Sequence, residues 1–137
     1  MNQPRHEAER WLAQAVDDLE FTRWVLAEGR YFDKGCFIAQ QAAEKALKAV
    51  HYLKGERLVF GHSALELLNR LLPEHQELVI LREPARLLDR YYIPTRYPNG
   101  LPGGSPFESF QRGDLESALD MAERVVAEAI RIVKAGV

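Results

Sequence analysis

Tyr31-Phe32-Asp33-Lys34-Gly35-Cys36-Phe37-Ile38-Ala39-Gln40-Gln41-Ala42-Ala43-Glu44-Lys45-Ala46-Leu47-Lys48-Ala49-Val50-His51-Tyr52-Leu53-Lys54 decides the fold. Phe37, Ile38, Ala42, Ala46, Ala49, Val50 and Leu53 fall on one side at helical spacing, without the alternation of a strand. Gly55 supplies the stop. A helix of this span is about 36 Å long at 1.5 Å per residue, the length of a helix in an up-and-down bundle. Its alanines, Ala39, Ala42, Ala43, Ala46 and Ala49, let a neighbouring helix come close.

Upstream, Ala8, Trp11, Leu12, Ala15, Val16, Leu19, Val25 and Leu26 recur at the same spacing from about Glu7 to Glu28, and Gly29 follows where a left-handed cap sits. Trp11 reads as core and Trp24 as an exposed interface residue. Downstream, a third helix runs from His62-Ser63 to Pro73, with Ser63 and Glu66 at capping-box spacing. A fourth spans about Glu74 to Tyr92, and Pro84 predicts a kink or restart within it. Residues 93–112 hold four prolines and three glycines and read as one long loop, of the kind that is usually functional. Asp114 caps the last helix, which carries Leu115, Leu119, Ala122, Val126, Ala129 and Val133 on one face. The expected fold is all-α: an up-and-down bundle of four to five helices with a Pro/Gly-rich loop before the last, in one domain over 1–137.

Composition narrows the function classes. The chain has 137 residues, 47% hydrophobic and 28% charged, which is ordinary globular composition. Eighteen basic against twenty acidic residues give a net charge of −2, which argues against nonspecific coating of nucleic acid but leaves a local basic stripe open. The single cysteine, Cys36, can form neither an internal disulfide nor a multi-cysteine zinc site, and points to a reducing cytoplasm. No apolar run reaches the length of a membrane span, and the polar residues 1–7 do not resemble a signal peptide.

Three stretches together resemble the HEPN domain family (higher eukaryotes and prokaryotes nucleotide-binding). The first is Tyr31 to Ala49, with its Gln40-Gln41-Ala42-Ala43-Glu44-Lys45-Ala46-Leu47-Lys48 run. The second is Gly61-His62-Ser63 leading into Leu65 and Leu68. The third is Leu88-Asp89-Arg90-Tyr91-Tyr92-Ile93-Pro94-Thr95-Arg96-Tyr97-Pro98. The resemblance implies a helical bundle, often dimeric or of higher homo-oligomeric order. Many members are encoded beside a minimal nucleotidyltransferase and are thought to help it bind substrate. Others are metal-independent ribonucleases, toxins among them, that carry an Arg-x(4–6)-His motif.

Arg96 with Tyr97 is the leading candidate for ligand binding. Arg82, Arg86 and Arg90 fall four apart on the preceding helix, with Tyr91 and Tyr92 beside them. Guanidiniums grip phosphate and phenol rings stack on bases, so a nucleotide or RNA phosphate suits the set. The same residues also fit a solvated face, neutralised by Glu83 and Asp89. On the second helix Gln40, Glu44 and Lys48 form one row and Gln41 and Lys45 another. These rows fit a ligand contact, a dimer interface or a polar seam between helices.

Arg57 and His62 satisfy the ribonuclease motif, and so do Arg70 and His75. With 13 arginines and four histidines, about one match arises by chance. The resemblance places the ribonuclease motif later in the domain than Arg57 and His62. If they act, His62 moves the proton and Arg57 steadies the phosphorane. The histidines show no metal-ligand spacing, no phosphate-binding glycine loop is present, and no cofactor is implied. Cys36, beside Phe37 and Ile38, reads as a buried hydrophobe. Three functions remain: a phosphate-binding module working with a nucleotidyltransferase, a ribonuclease, or an oligomerising scaffold.

Overall fold

A computed structural model describes residues 3–136. It is all-helical: α1 (Gln3–Glu28), α2 (Phe32–Leu53), α3 (Ala64–Asn69), α4 (Arg82–Asp89), α5 (Pro106–Ser109) and α6 (Arg112–Ala135), with 3₁₀ turns at Gln76–Leu81 and Pro98–Gly100. The three long helices α1, α2 and α6 pack on one another, and α3 and α4 close the remaining side of α2 and α6. The alanines of α2 explain that packing. Ala39, Ala42, Ala43, Ala46 and Ala49 are all fully buried, so the backbones on either side approach closely. Gly35 extends the same surface: a methyl group there would lie 2.8 Å from Leu115 Cδ1 and 3.2 Å from Val25 Cγ1.

Several helix limits differ from those the sequence predicts, each for a local reason. The first helix begins at Gln3 rather than Glu7, because the polar turn 3–6 continues it and Arg5 pairs with Glu9 one turn on. The third stops at Asn69 rather than Pro73. Its expected cap is present, with Ser63 Oγ accepting from the Glu66 amide at 3.0 Å. Pro84 does mark a restart: the chain runs as a 3₁₀ turn to Leu81 and as α4 from Arg82, so Pro84 stands in the first turn, where it sacrifices no helical hydrogen bond. Residues 93–112 are not one loop. They hold the second 3₁₀ turn and α5, whose Ser105–Glu108 capping box follows the rule already seen at Ser63. The cap of α6 is Gln111, and Asp114 is the reciprocal member that accepts from the Gln111 amide at 2.8 Å. Val16, expected in the core, is 37% exposed.

The buried apolar residues form one cluster shared by α1, α2, α3, α4 and α6. Trp11 is partly buried on it and stacks on Tyr52 at 5.3 Å. Trp24 is 57% exposed, as its position predicts. Among the described residues no helix is long and apolar enough to cross a membrane.

Candidate functional site

The three sequence stretches singled out above meet at one polar junction. Gln40, completely buried on α2, donates its side-chain amide to the His62 carbonyl at 2.9 Å and to Asp89 Oδ1 at 3.3 Å. Asp89 in turn accepts from Ser63 Oγ at 2.6 Å, from the Ala64 amide at 2.7 Å and from the Leu65 amide at 3.2 Å. A carboxylate from α4 therefore satisfies the open amides at the start of α3, where it also meets the positive end of the helix dipole. Gln41 joins the junction by donating to Gln40 Oε1 at 2.8 Å and Glu44 Oε1 at 3.2 Å.

The lysines of α2 are engaged within the protein. Lys48 Nζ lies 3.0 Å from Glu44 Oε2, and the two side chains are only 8% and 5% exposed. Lys48 also sits over the Trp11 ring at 5.6 Å. Lys45 reaches Asp18 of α1 at 2.8 Å. Of the roles open to this face, the geometry matches a polar seam that joins α1 and α2. At its mouth His62 Nδ1 lies 3.5 Å from Glu44 Oε2.

Arg96 has a different setting. Its guanidinium carbon lies 4.5 Å from the Phe37 ring centre, 4.5 Å from that of Tyr92 and 5.1 Å from that of Tyr97. Nε donates to the Tyr92 carbonyl at 2.8 Å. Among the described residues Arg96 pairs with no carboxylate, so its terminal nitrogens keep their donor capacity. Tyr92 also carries the His62 imidazole, stacked at 5.1 Å with an interplanar angle of 16°. His62 and Arg96 thus share one phenol ring, although nothing in their sequence spacing links them.

Arg96 is on the wall of a cleft of about 480 Å³ between α1, α2 and the 95–107 segment. Phe21, Phe37, Ile38 and Phe107 give it an apolar lining, and Asp33 and Lys34 bring the other charges. Asp33 is 3% exposed. Its Oδ2 accepts from Lys34 Nζ at 3.1 Å, and its Oδ1 has no hydrogen-bond donor. Before it, Tyr31 holds the left-handed conformation at φ 65°, which a residue without glycine's freedom rarely adopts.

The remaining candidates lie apart. Arg86 is exposed and ion-paired with Glu83, so the solvated-face account fits it. Arg90 lines a second cleft with Tyr91, Phe110, Asp114 and Asp120. Arg57 lines a groove with His6, Glu7 and Tyr52, while His62 packs on Tyr92. His62 and Arg96 thus share the Tyr92 ring, whereas the groove that Arg57 lines is not lined by His62. Cys36 is fully buried, and burial, with Asp114 and Asp33 adding to it, pushes its thiol up to about 12. Among the described residues no cluster of His, Cys, Asp and Glu is placed to hold a metal ion. Asp33 and the phenylalanines of the cleft were missed from sequence. Asp33 stands in the first turn of α2, where an acid carries no signal of its own, and Phe21 and Phe107 come from segments distant in the chain.

The same fold and much of the same sequence recur in known proteins. The model of the HEPN domain matches residues 8–133. The crystal structure of TT1696 from Thermus thermophilus superposes with a TM-score of 0.84 and 41% identity, covering 96% of this chain and 99% of that one. ST0689, an archaeal HEPN homologue, does so with a TM-score of 0.76 and 31% identity, over 93% and 98% of the two chains. A protein of Methanocaldococcus jannaschii named "Putative toxin MJ1304" is 28% identical over 129 residues, 87% of this chain and 83% of its own.

Proposed function

Taking as premise that the chain belongs to the HEPN domain family, we propose that it is a nucleotide- and phosphate-binding module anchored by Arg96. The observation that carries this is the carboxylate-free guanidinium of Arg96, held among Phe37, Tyr92 and Tyr97 at the wall of an apolar cleft. The three rings confine the guanidinium, and its Nε bond to the Tyr92 carbonyl fixes its rotation. A planar donor fork prepared in this way grips phosphate oxygens with little ordering cost. Flat apolar walls beside it accept a base. Tyr97, half exposed, completes the rim.

The module works beside a minimal nucleotidyltransferase, as the family resemblance implies, and presents a phosphate-bearing substrate to it. Phe21 and Trp24, stacked on one another at 6.2 Å and exposed, offer a surface for a second copy of the chain or for that partner. The test is a nucleotide titration followed by thermal shift in wild type and Arg96→Ala. Wild type is expected to be stabilised and Arg96→Ala is not; equal shifts in both overturn the assignment.

A second reading, a metal-independent ribonuclease of toxin type, draws on the name of the archaeal relative and on His62, which is 64% exposed and within reach of a ligand on Arg96. It requires RNA cleavage in the presence of EDTA, lost in His62→Ala. Comparing Arg57→Ala with Arg96→Ala then decides which arginine assists.

A further inference from the structure

Arg70 repeats the setting of Arg96 on another part of the surface. Each guanidinium donates to the backbone carbonyl of an aromatic residue, Arg96 to Tyr92 at 2.8 Å and Arg70 to Phe60 at 3.1 Å. Among the described residues neither pairs with a carboxylate. Glu66 stands four residues before Arg70, at the spacing of a helical ion pair, yet Arg70 reaches back to the 57–61 segment instead. Gly61, at φ 115°, lies beside the same guanidinium: a methyl group there would be 3.9 Å from Arg70 Nη2. Val59 is buried and anchors the segment, while the Phe60 ring next to it is 73% exposed. One exposed ring is ordinary on a protein surface. A ring beside a carboxylate-free guanidinium, with a second such pair close by, is a pattern.

His62 joins the two pairs. Its imidazole, 64% exposed, stacks on Tyr92 at 5.1 Å, and Tyr92 carries the Arg96 guanidinium on its ring at 4.5 Å. Only Gly61 separates His62 from Phe60, a reach of at most about 7 Å along the chain. The surface therefore runs Arg96, Tyr92, His62, Phe60, Arg70, with a cation at each end and rings between. We propose that the Arg96 cleft is one end of a track for single-stranded nucleic acid, which crosses His62 to a stacking platform at Phe60 and a second phosphate contact at Arg70. The proposal rests on Arg96 as the phosphate anchor and adds the extent and the single-stranded form of the ligand. Every base has a π-face, so rings of this kind hold successive bases with little regard to sequence, and a duplex hides those faces. The neighbouring carboxylates do not oppose a polyanion freely: Glu44 is held by Lys48 at 3.0 Å, and Asp89 by the α3 amides. A net charge of −2 confines such binding to the track, in place of general coating.

The experiment is fluorescence anisotropy of the full chain with a 3′-labelled 2′-O-methyl oligouridylate of six nucleotides, which cannot be cleaved through its 2′-oxygen, and with UMP as competitor. A labelled abasic phosphodiester of six units carries the charge without the bases. Wild type is expected to bind the hexanucleotide about tenfold or more tighter than UMP or the abasic strand. Phe60→Ala is expected to weaken the hexanucleotide about tenfold and to leave UMP unchanged. Arg70→Ala is expected to flatten the dependence of log K on log salt by about 0.7, the share of one phosphate contact on a single strand. Arg131→Ala removes a cation held by Glu77 and Glu128 and is expected to change neither affinity nor slope. Arg96→Ala is expected to weaken both UMP and the hexanucleotide. If Phe60→Ala or Arg70→Ala binds the hexanucleotide as wild type does, or Phe60→Ala weakens UMP equally, the track is overturned, and loss of UMP in Arg96→Ala leaves the anchor standing alone. Equal affinity for the abasic strand means that charge alone is recognised, as by an acidic protein partner, and overturns the track as well. If wild type binds neither UMP nor the hexanucleotide, or Arg96→Ala weakens neither, anchor and track fall together.

Discussion

Gln40 and Asp89, forty-nine positions apart, meet side chain to side chain at 3.3 Å, and the Asp89 carboxylate caps α3. The most distinctive polar residues of the sequence are thus a joint of the fold. Removing the carboxylate in Asp89→Ala strands the Ser63 hydroxyl, the amides of Ala64 and Leu65 and one donor of Gln40. The expected loss is about 2–4 kcal/mol, combining a missing helix cap with unsatisfied buried donors. Asp89→Asn, which keeps the shape and one acceptor oxygen, is expected to lose roughly half as much. Urea denaturation of the two variants checks both the size and the order. Equal stability of Asp89→Ala and wild type would show that the joint carries no weight.

Cys36 predicts an alkaline signature. Its thiol is raised from the ordinary 9.0 to about 12, by burial first and then by the charges of Asp114 and Asp33. Above pH 9 the unfolded chain gives up this proton while the folded chain keeps it. The folded state then binds more protons, and stability falls as pH rises toward 12, by up to about 1.4 kcal/mol per unit. Tyr91, raised from 10.0 to about 12 by burial, with smaller contributions from Cys36 and Asp114, adds a second loss of the same sign above pH 10. Cys36→Ala is expected to flatten the stability curve between pH 9 and 10 and to leave the part of the Tyr91 loss that comes from burial. The same burial keeps the native thiol unreactive toward a thiol reagent at pH 8, with full reaction in urea.

Gly35 predicts a cost where helix propensity alone forecasts a gain. Alanine favours a helix over glycine by about 1 kcal/mol. The added methyl would lie 2.8 and 2.9 Å from the two terminal carbons of Leu115, a fully buried side chain that must shift within the core to admit it. Overpacking costs about 1–3 kcal/mol, so Gly35→Ala is expected to be destabilising by about 1 kcal/mol net, and Gly35→Val by more. Thermal melts of the two variants decide it, and a rise in Tm for Gly35→Ala would mean that α6 yields easily.

How much of this was legible beforehand depended on whether a residue's partner was local. The small-residue face of α2, the Ser63 cap and the restart at Pro84 all follow from spacing along one segment, and the structure has them. The 93–112 region reads as a single loop because its prolines and glycines obscure two short elements, of which only α5 carries a capping box, between Ser105 and Glu108. Arg96 could be picked out as a cation near tyrosines, yet its third ring, Phe37, comes from α2. Arg86 and Arg90 shared a helical stripe with Arg82, but a stripe says nothing of partners, and Glu83 claims Arg86. Asp33 was illegible for the same reason. Its unpaired oxygen becomes visible only when α1, α2 and α5 close around it.

Glu44 and Lys48 test whether the polar row of α2 acts on a ligand or on the fold. The pair is 3.0 Å apart and almost wholly enclosed, with Gln41 and His62 as the further partners of Glu44. Breaking such a pair from one side leaves a buried charge uncompensated, at a cost of about 3–5 kcal/mol, whereas replacing both ions with apolar groups of similar volume is often nearly neutral. Lys48→Met and Glu44→Leu are therefore each expected to destabilise strongly, and the double variant is expected to recover most of the loss. A double-mutant cycle by urea denaturation gives the coupling energy, and additive losses would deny that the two charges depend on each other. The cycle also fixes how nucleotide titrations of these variants must be interpreted. If the double variant regains stability and still binds nucleotide as wild type does, Lys48 serves the fold through Glu44 and is not a ligand of the Arg96 cleft.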